Sequence, residues 1–155
     1  MTFRIEALSY DLFAPLFALS DEELITKRAR RVVADAHPGY PCRVSLEDAR
    51  IGEALILVHH AHHDADTPYA ASHAVFAREG AERADPAPGA VPDMLKARPI
   101  SLRAFDAEGM MVAADLAEGE GVAPMIDQMF SDMRVREVHL HNAKPGCYAA
   151  KAVRA

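Results

Sequence analysis

Apolar and polar positions alternate most cleanly near the end of the chain. In residues 135–154, VREVHLHNAKPGCYAAKAVR, Val138 and Leu140 alternate with His139 and His141. A strand places successive side chains on opposite faces, so the two histidines share one face and the apolar pair takes the other. Asn142 through Gly146 (NAKPG) supplies a turn, and residues 147–153 run back as a second strand. The other strong pattern is EALILVHH, residues 53–60, too short for a typical helix and rich in branched side chains. It reads as a central strand. The two segments are expected to share one sheet, with Val138 and Leu140 pointing into its core.

The remaining elements are assigned from shorter signals. Phe3, Ile5 and Ala7 alternate with Arg4 and Glu6, giving a short strand with one wet face. Residues 10–19 hold Leu12, Phe13, Leu16 and Phe17 around Pro15, as either a helical turn or a buried loop. Ser20-x-x-Glu23 is a capping box, and Leu19 and Leu24 stand where a hydrophobic staple needs them. Asp21 and Glu22 suit the positive end of the helix that follows, and Lys27, Arg28, Arg30 and Arg31 suit the other end. Residues 31–36 are either its last turn or a strand, before His37-Pro-Gly-Tyr-Pro41 breaks all regular structure. Ser45 is placed to cap a very short helix that ends at Gly52.

Residues 73–78 predict a further strand, with Ala74 and Phe76 on one face. The Pro-rich stretch 79–92 predicts a stiff connection that wraps the surface or acts as a lid. Residues 100–106 and 110–115 flank Ala107-Glu108-Gly109 as a hairpin. Val122, Met125, Ile126, Met129 and Phe130 recur at helical spacing, and this methionine-rich stripe is assigned to core packing. The fold class is therefore α+β, a mixed or mostly antiparallel sheet with two or three covering helices, in a single domain spanning residues 1–155. Strands are not spaced by regular helices, which argues against a doubly wound fold.

Composition narrows the partners. A formal net charge of −6 and the absence of Trp disfavour nucleic acid. Fully apolar stretches reach only about five residues, against the roughly 20 a membrane helix needs. No membrane association is expected. The N-terminus lacks the basic start and clean apolar block of a secretory signal, so a cytoplasmic location is expected. Cys42 and Cys147 set no disulfide framework and show no CxxC spacing, so they are expected as thiols.

Candidate chemistry lies with the histidines. Four of the eight fall in His59-His60-Ala61-His62-His63, and a His-x-His pair recurs at His139 and His141. Neutral imidazoles are good ligands for divalent transition metals. His60 and His62 would share a strand face, so His60, His62, His139 and His141 form a candidate metal set, with Asp64 or Asp66 adding oxygen. The plainer reading is a polar, histidine-rich loop and two hydrogen-bonded histidines on the hairpin. As catalytic groups, His141 ranks first, His139 second and Cys147 third. The site is expected where the hairpin faces Cys42 and residues 59–63, beneath a loop at residues 64–69. No HExxH, GxSxG, P-loop or dinucleotide fingerprint is present. Two function classes follow. One is a small-ligand or protein binding module, with a homodimer through an exposed strand as one form. The other is a small metal-assisted or thiol-based enzyme acting on a polar small molecule.

Three blocks carry a family resemblance. They are Pro41-Cys-Arg-Val-Ser-Leu46 leading to Gly52-Glu53-Ala-Leu55, Pro68-Tyr69 leading to Phe76, and Val138-His-Leu-His-Asn142 with Gly146-Cys-Tyr148 and Arg154. Together they resemble a bacterial family named only as domain of unknown function 1203. The resemblance spans roughly residues 3–154 and is most specific in the terminal HLHNAKPGCYAAKAVR. The family's usual Gly-Pro-Ile before the phenylalanine matched by Phe76 is His73-Ala74-Val75 here. The family carries no established activity, so the resemblance implies one intact domain and no mechanism.

Overall fold

The computed structural model describes residues 2–155. In chain order its elements are β1 (Phe3–Glu6), α1 (Asp21–Thr26), β2 (Ala29–Val33), β3 (Ala54–His63), β4 (Ala71–Arg78), α2 (Asp93–Lys96), β5 (Ile100–Phe105), β6 (Met111–Ala117), α3 (Val122–Phe130), β7 (Glu137–Asn142) and β8 (Tyr148–Arg154). The strands form two sheets, one ordered β1-β8-β7-β5-β6 and one ordered β2-β3-β4. Every strand pairing is antiparallel. The α+β class is thus as expected, with short helices covering antiparallel sheets.

One face of the larger sheet is apolar. Ile5, Leu102, Val138, Leu140 and Ala150 are buried there together with Val122, Ile126, Met129 and Phe130 of α3. The methionine-rich stripe is core, because its period of 3.6 lays one helix face along the sheet. A second cluster joins Ile56, Val58, Val75 and Ala77 of the smaller sheet to Phe13, Leu24, Cys42 and Val44. The expectation of one sheet holding residues 53–60 and the terminal hairpin is overturned. Both edges of β3 are taken, by β2 and β4. Along residues 54–58 that leaves no free edge for the hairpin.

The segment after Pro41 links the two sheets. Leu8 N–H donates to Arg43 O and Arg43 N–H to Phe76 O, at 2.9 and 3.0 Å. This extended pairing replaces the short helix expected from Ser45, where the chain instead turns through Leu46 at φ 53°. The Ser20 capping box is present, with Glu23 N–H donating to Ser20 Oγ at 3.2 Å. Its helix stops at Thr26, however, and Arg28 turns at φ 53°, so Arg30 and Arg31 lie on β2 rather than at a helix end. Residues 10–18 form two 3₁₀ turns. The Pro-rich connection wraps the surface, tied by Ala84 N–H to Val44 O and Gly89 N–H to Phe3 O.

Among the described residues, no helix is long and apolar enough to cross a membrane.

Candidate metal centre

The histidine face of β7 turns away from the α3 core and meets the end of β3. Alternation puts Glu137, His139 and His141 on that face, while Val138 and Leu140 anchor the other. His139 and His141 are each only 1% exposed. What meets them depends on an irregularity in β3. Its register with β4 shifts between Ala61 and His63, leaving His62 without a cross-strand partner. Such a bulge breaks strict alternation and re-aims side chains. Two consecutive residues therefore reach β7: the His62 ring lies 4.9 Å from His141 and 6.2 Å from His139, and the His63 ring 5.2 Å from His139. Tyr148 stacks on His62 at 5.1 Å and 8°, and Phe105 packs against His63 and His139.

His62, His139 and His141 each bring one ring nitrogen within 4.8 Å of the other two. Each ring also has a buried nitrogen with no hydrogen-bond partner: Nδ1 of His62, Nδ1 of His139 and Nε2 of His141. Two of the three rings are held by their other nitrogen. His139 Nε2 lies 2.7 Å from Glu137 Oε1, and His141 Nδ1 lies 2.9 Å from Gly146 O. A carboxylate and a carbonyl only accept, so these nitrogens carry protons, and in the neutral ring the opposite nitrogen presents a lone pair. A metal-bound histidine characteristically donates its second nitrogen to a carboxylate or backbone carbonyl in this way.

Burial disfavours the charged form of His62 and His141. Burial, with His141 and His139 adding to it, pulls the His62 imidazole down to about 3. Burial also pulls His141 down to about 4, against the hydrogen bond to Gly146 and with help from nearby Arg103. The His139 hydrogen bond holds Glu137 at about 2, with the Lys151 charge acting the same way. Burial pushes the Tyr148 phenol upward, so it stays protonated. A second grouping, His63, Glu137 and His139, overlaps the first. There His63 Nε2 is engaged with Gly109 O at 2.9 Å, and Glu137 is the partner of His139. It reads as the layer that orients the first set. Beside both lies a cleft of about 460 Å³ bounded by His62, His63, Glu137, Arg136 and Asp106.

The candidate residues are sorted by this geometry. His62, His139 and His141 come together. His60 does not, since its ring packs beside Phe13 at 6.2 Å and its cross-strand neighbour is His73. Asp64 and Asp66 join neither grouping, and the nearby carboxylate is Glu137. The alternation Glu137-x-His139-x-His141 carried that signal. Cys147 faces away from this set: its sulfur accepts from Arg43 Nη2 at 3.0 Å and Asn142 Nδ2 at 3.6 Å. Cys42 is fully buried, its sulfur 3.3 Å from the Arg78 amide. Both cysteines are free thiols. The loop after β3 leans on the β5–β6 turn through Thr67 Oγ1 to Gly109 O at 3.2 Å.

A family model described as protein of unknown function (DUF1203) matches residues 39–154, and the chain belongs to that family. The match includes all of β3, β7 and β8. No curated protein matches the chain, and no solved structure does.

Proposed function

We propose that this DUF1203 protein is a binding module whose ligand is a divalent transition-metal ion, held by His62, His139 and His141. The observation that carries the reading is the convergence of three imidazoles, each with a buried, unpartnered ring nitrogen, two of them tied through the other nitrogen to Glu137 and Gly146. A buried polar atom without a partner costs roughly 1–3 kcal/mol, and an ion that accepts all three lone pairs removes three such costs at once. All-nitrogen donors suit zinc, copper, nickel or iron(II) rather than magnesium or calcium. Tetrahedral zinc with nitrogens at 2.0–2.1 Å needs them roughly 3.3 Å apart. The present nitrogens, within 4.8 Å, close to that spacing by small ring shifts.

The test is metal analysis and calorimetric titration of protein purified without a histidine tag. One ion per chain is expected, lost in His62→Asn and His141→Gln variants that keep the wild-type circular dichroism spectrum. A well-folded wild type that binds no zinc, copper or nickel more tightly than the variants do overturns the reading.

A metal-assisted reaction is the second reading. It is favoured by the count of three ligands beside a cleft of about 460 Å³, since catalytic zinc sites pair three protein ligands with an open position. Cobalt-substituted protein then changes its visible spectrum when azide is added. No change, with one cobalt bound, restricts the centre to binding.

A further inference from the structure

A second cavity, of about 530 Å³, opens at the turn of the terminal hairpin. Its walls are largely apolar, with Leu57, Phe76 and Pro99 among them, and they include Arg43, Asn142 and Cys147. Lys144 stands exposed on its border. No carboxylate lines the cavity, in a chain with 23 acidic and 17 basic residues.

Arg43 is the unusual member. It is 1% exposed, and no carboxylate among the described residues pairs with it. Arg98, which also lines the cavity, is by contrast paired with Asp48. Arg43 donates through Nε to Tyr148 O, through Nη1 to Pro41 O and through Nη2 to Cys147 Sγ. A guanidinium has five N–H groups and remains protonated in proteins, so two donors and a whole charge are left over. A buried unpaired charge costs several kcal/mol unless an anion meets it. Asn142 adds an independent demand. It is 4% exposed, and its Oδ1 has no donor.

We infer that this cavity binds a small organic molecule with an oxyanion head for Arg43, a hydrogen-bond donor for Asn142 and an apolar body. A 2-hydroxy or 2-amino carboxylate with a short aliphatic chain meets all three requirements, and a phosphate ester meets the first and last. The volume falls within the usual range for small-molecule sites, roughly 300–1,000 Å³. The inference is independent of the metal reading, because none of the three metal-site histidines lines this cavity.

Cys147 reports on occupancy, since its sulfur sits beside Arg43. Iodoacetate carries the required carboxylate, and iodoacetamide is its neutral counterpart. In either reaction Sγ bonds to the reagent's methylene, iodide leaves with the C–I electron pair, and the thiol proton passes to solvent. Cys42, fully buried, serves as internal control in peptide mapping.

The iodoacetate-to-iodoacetamide rate ratio at Cys147 is expected to exceed that of free glutathione by about tenfold or more, as positive focusing in a low-dielectric cleft permits. The iodoacetate rate should saturate with concentration, and Lys144→Glu should lower the ratio. 2-Hydroxybutanoate should protect at lower concentration than butanoate. Stronger protection by inorganic phosphate assigns the head group as phosphate. A glutathione-like ratio with no saturation and no protection overturns the inference. If Cys147 reacts with neither reagent, calorimetric titration with 2-hydroxybutanoate decides: saturable heat weakened by Lys144→Glu supports the site, and absence of heat refutes it.

Discussion

Replacing Glu137 with Gln tests the metal centre without removing a ligand. Glu137 Oε1 lies 2.7 Å from His139 Nε2, and Oε2 lies 3.2 Å from Lys151 Nζ. Metal bound at Nδ1 draws electron density from the ring and makes the Nε2–H a stronger donor. The carboxylate charge then stabilises the bound form more than the free form. A neutral amide keeps the shape and an accepting oxygen but loses that difference. Loss of such an outer partner typically lowers metal affinity about 10–100-fold, or about 1.4–2.7 kcal/mol. The Glu137 side chain is 28% exposed and shares its charge with Lys151, so solvent screening places the effect at the lower end. A loss of about tenfold is therefore expected. Competition with a chromophoric chelator at fixed pH measures it. Glu6→Gln is the control, because Glu6 also faces Lys151, at 3.7 Å, without touching His139. If Glu137→Gln binds zinc within twofold of wild type, or loses no more than Glu6→Gln, the orienting role is wrong.

Three further outcomes are expected. His60→Ala should leave zinc affinity within about twofold, whereas His62→Ala should lose more than roughly 100-fold, beyond the effect of an outer partner; equal losses in the two variants would contradict the bulge-directed ligand set. In metal-free protein, His62 and His141 are lowered to about 3 and about 4 from 6.5, so the unfolded chain takes up protons first and stability falls as pH drops from about 6.5 towards 5; a urea midpoint that stays level or rises over that window refutes the assignment of neutral, buried rings. Gly109→Ala places a methyl 2.6 Å from Ala65 Cβ at φ +81°, where only glycine fits. It should cost about 2–4 kcal/mol from overpacking and left-handed strain, or about 5–15 °C in melting temperature for a chain of this size, and an unchanged midpoint would mean the loop after β3 does not press on the β5–β6 turn.

Much of the architecture is written locally. Alternation of Val138 and Leu140 with His139 and His141 fixed the two faces of β7, because a strand's period of two leaves no other arrangement once one face is buried. The Ser20–Glu23 box set a helix start, and the apolar spacing after Val122 set α3 and its buried face. These signals rest on interactions within a few residues, so the sequence determines them before any tertiary contact forms. The family resemblance was likewise legible in the hairpin's own residues.

Only the tertiary structure decided what those faces meet. An apolar run such as residues 54–58 states that a strand is buried and leaves its neighbours open. Pairing with β2 and β4 put β3 in a second sheet. Strict alternation grouped His60 with His62, but the bulge after Ala61 sends His62 and His63 toward β7 and leaves His60 beside Phe13. No local pattern marks Arg43 as buried, yet the 42–44 segment bridges both sheets and buries it against Cys147. Residues 43 and 147 stand 104 positions apart. Contacts across such separations depend on how sheets pack and where registers slip, and neither is encoded in the hydrophobic pattern of any one strand.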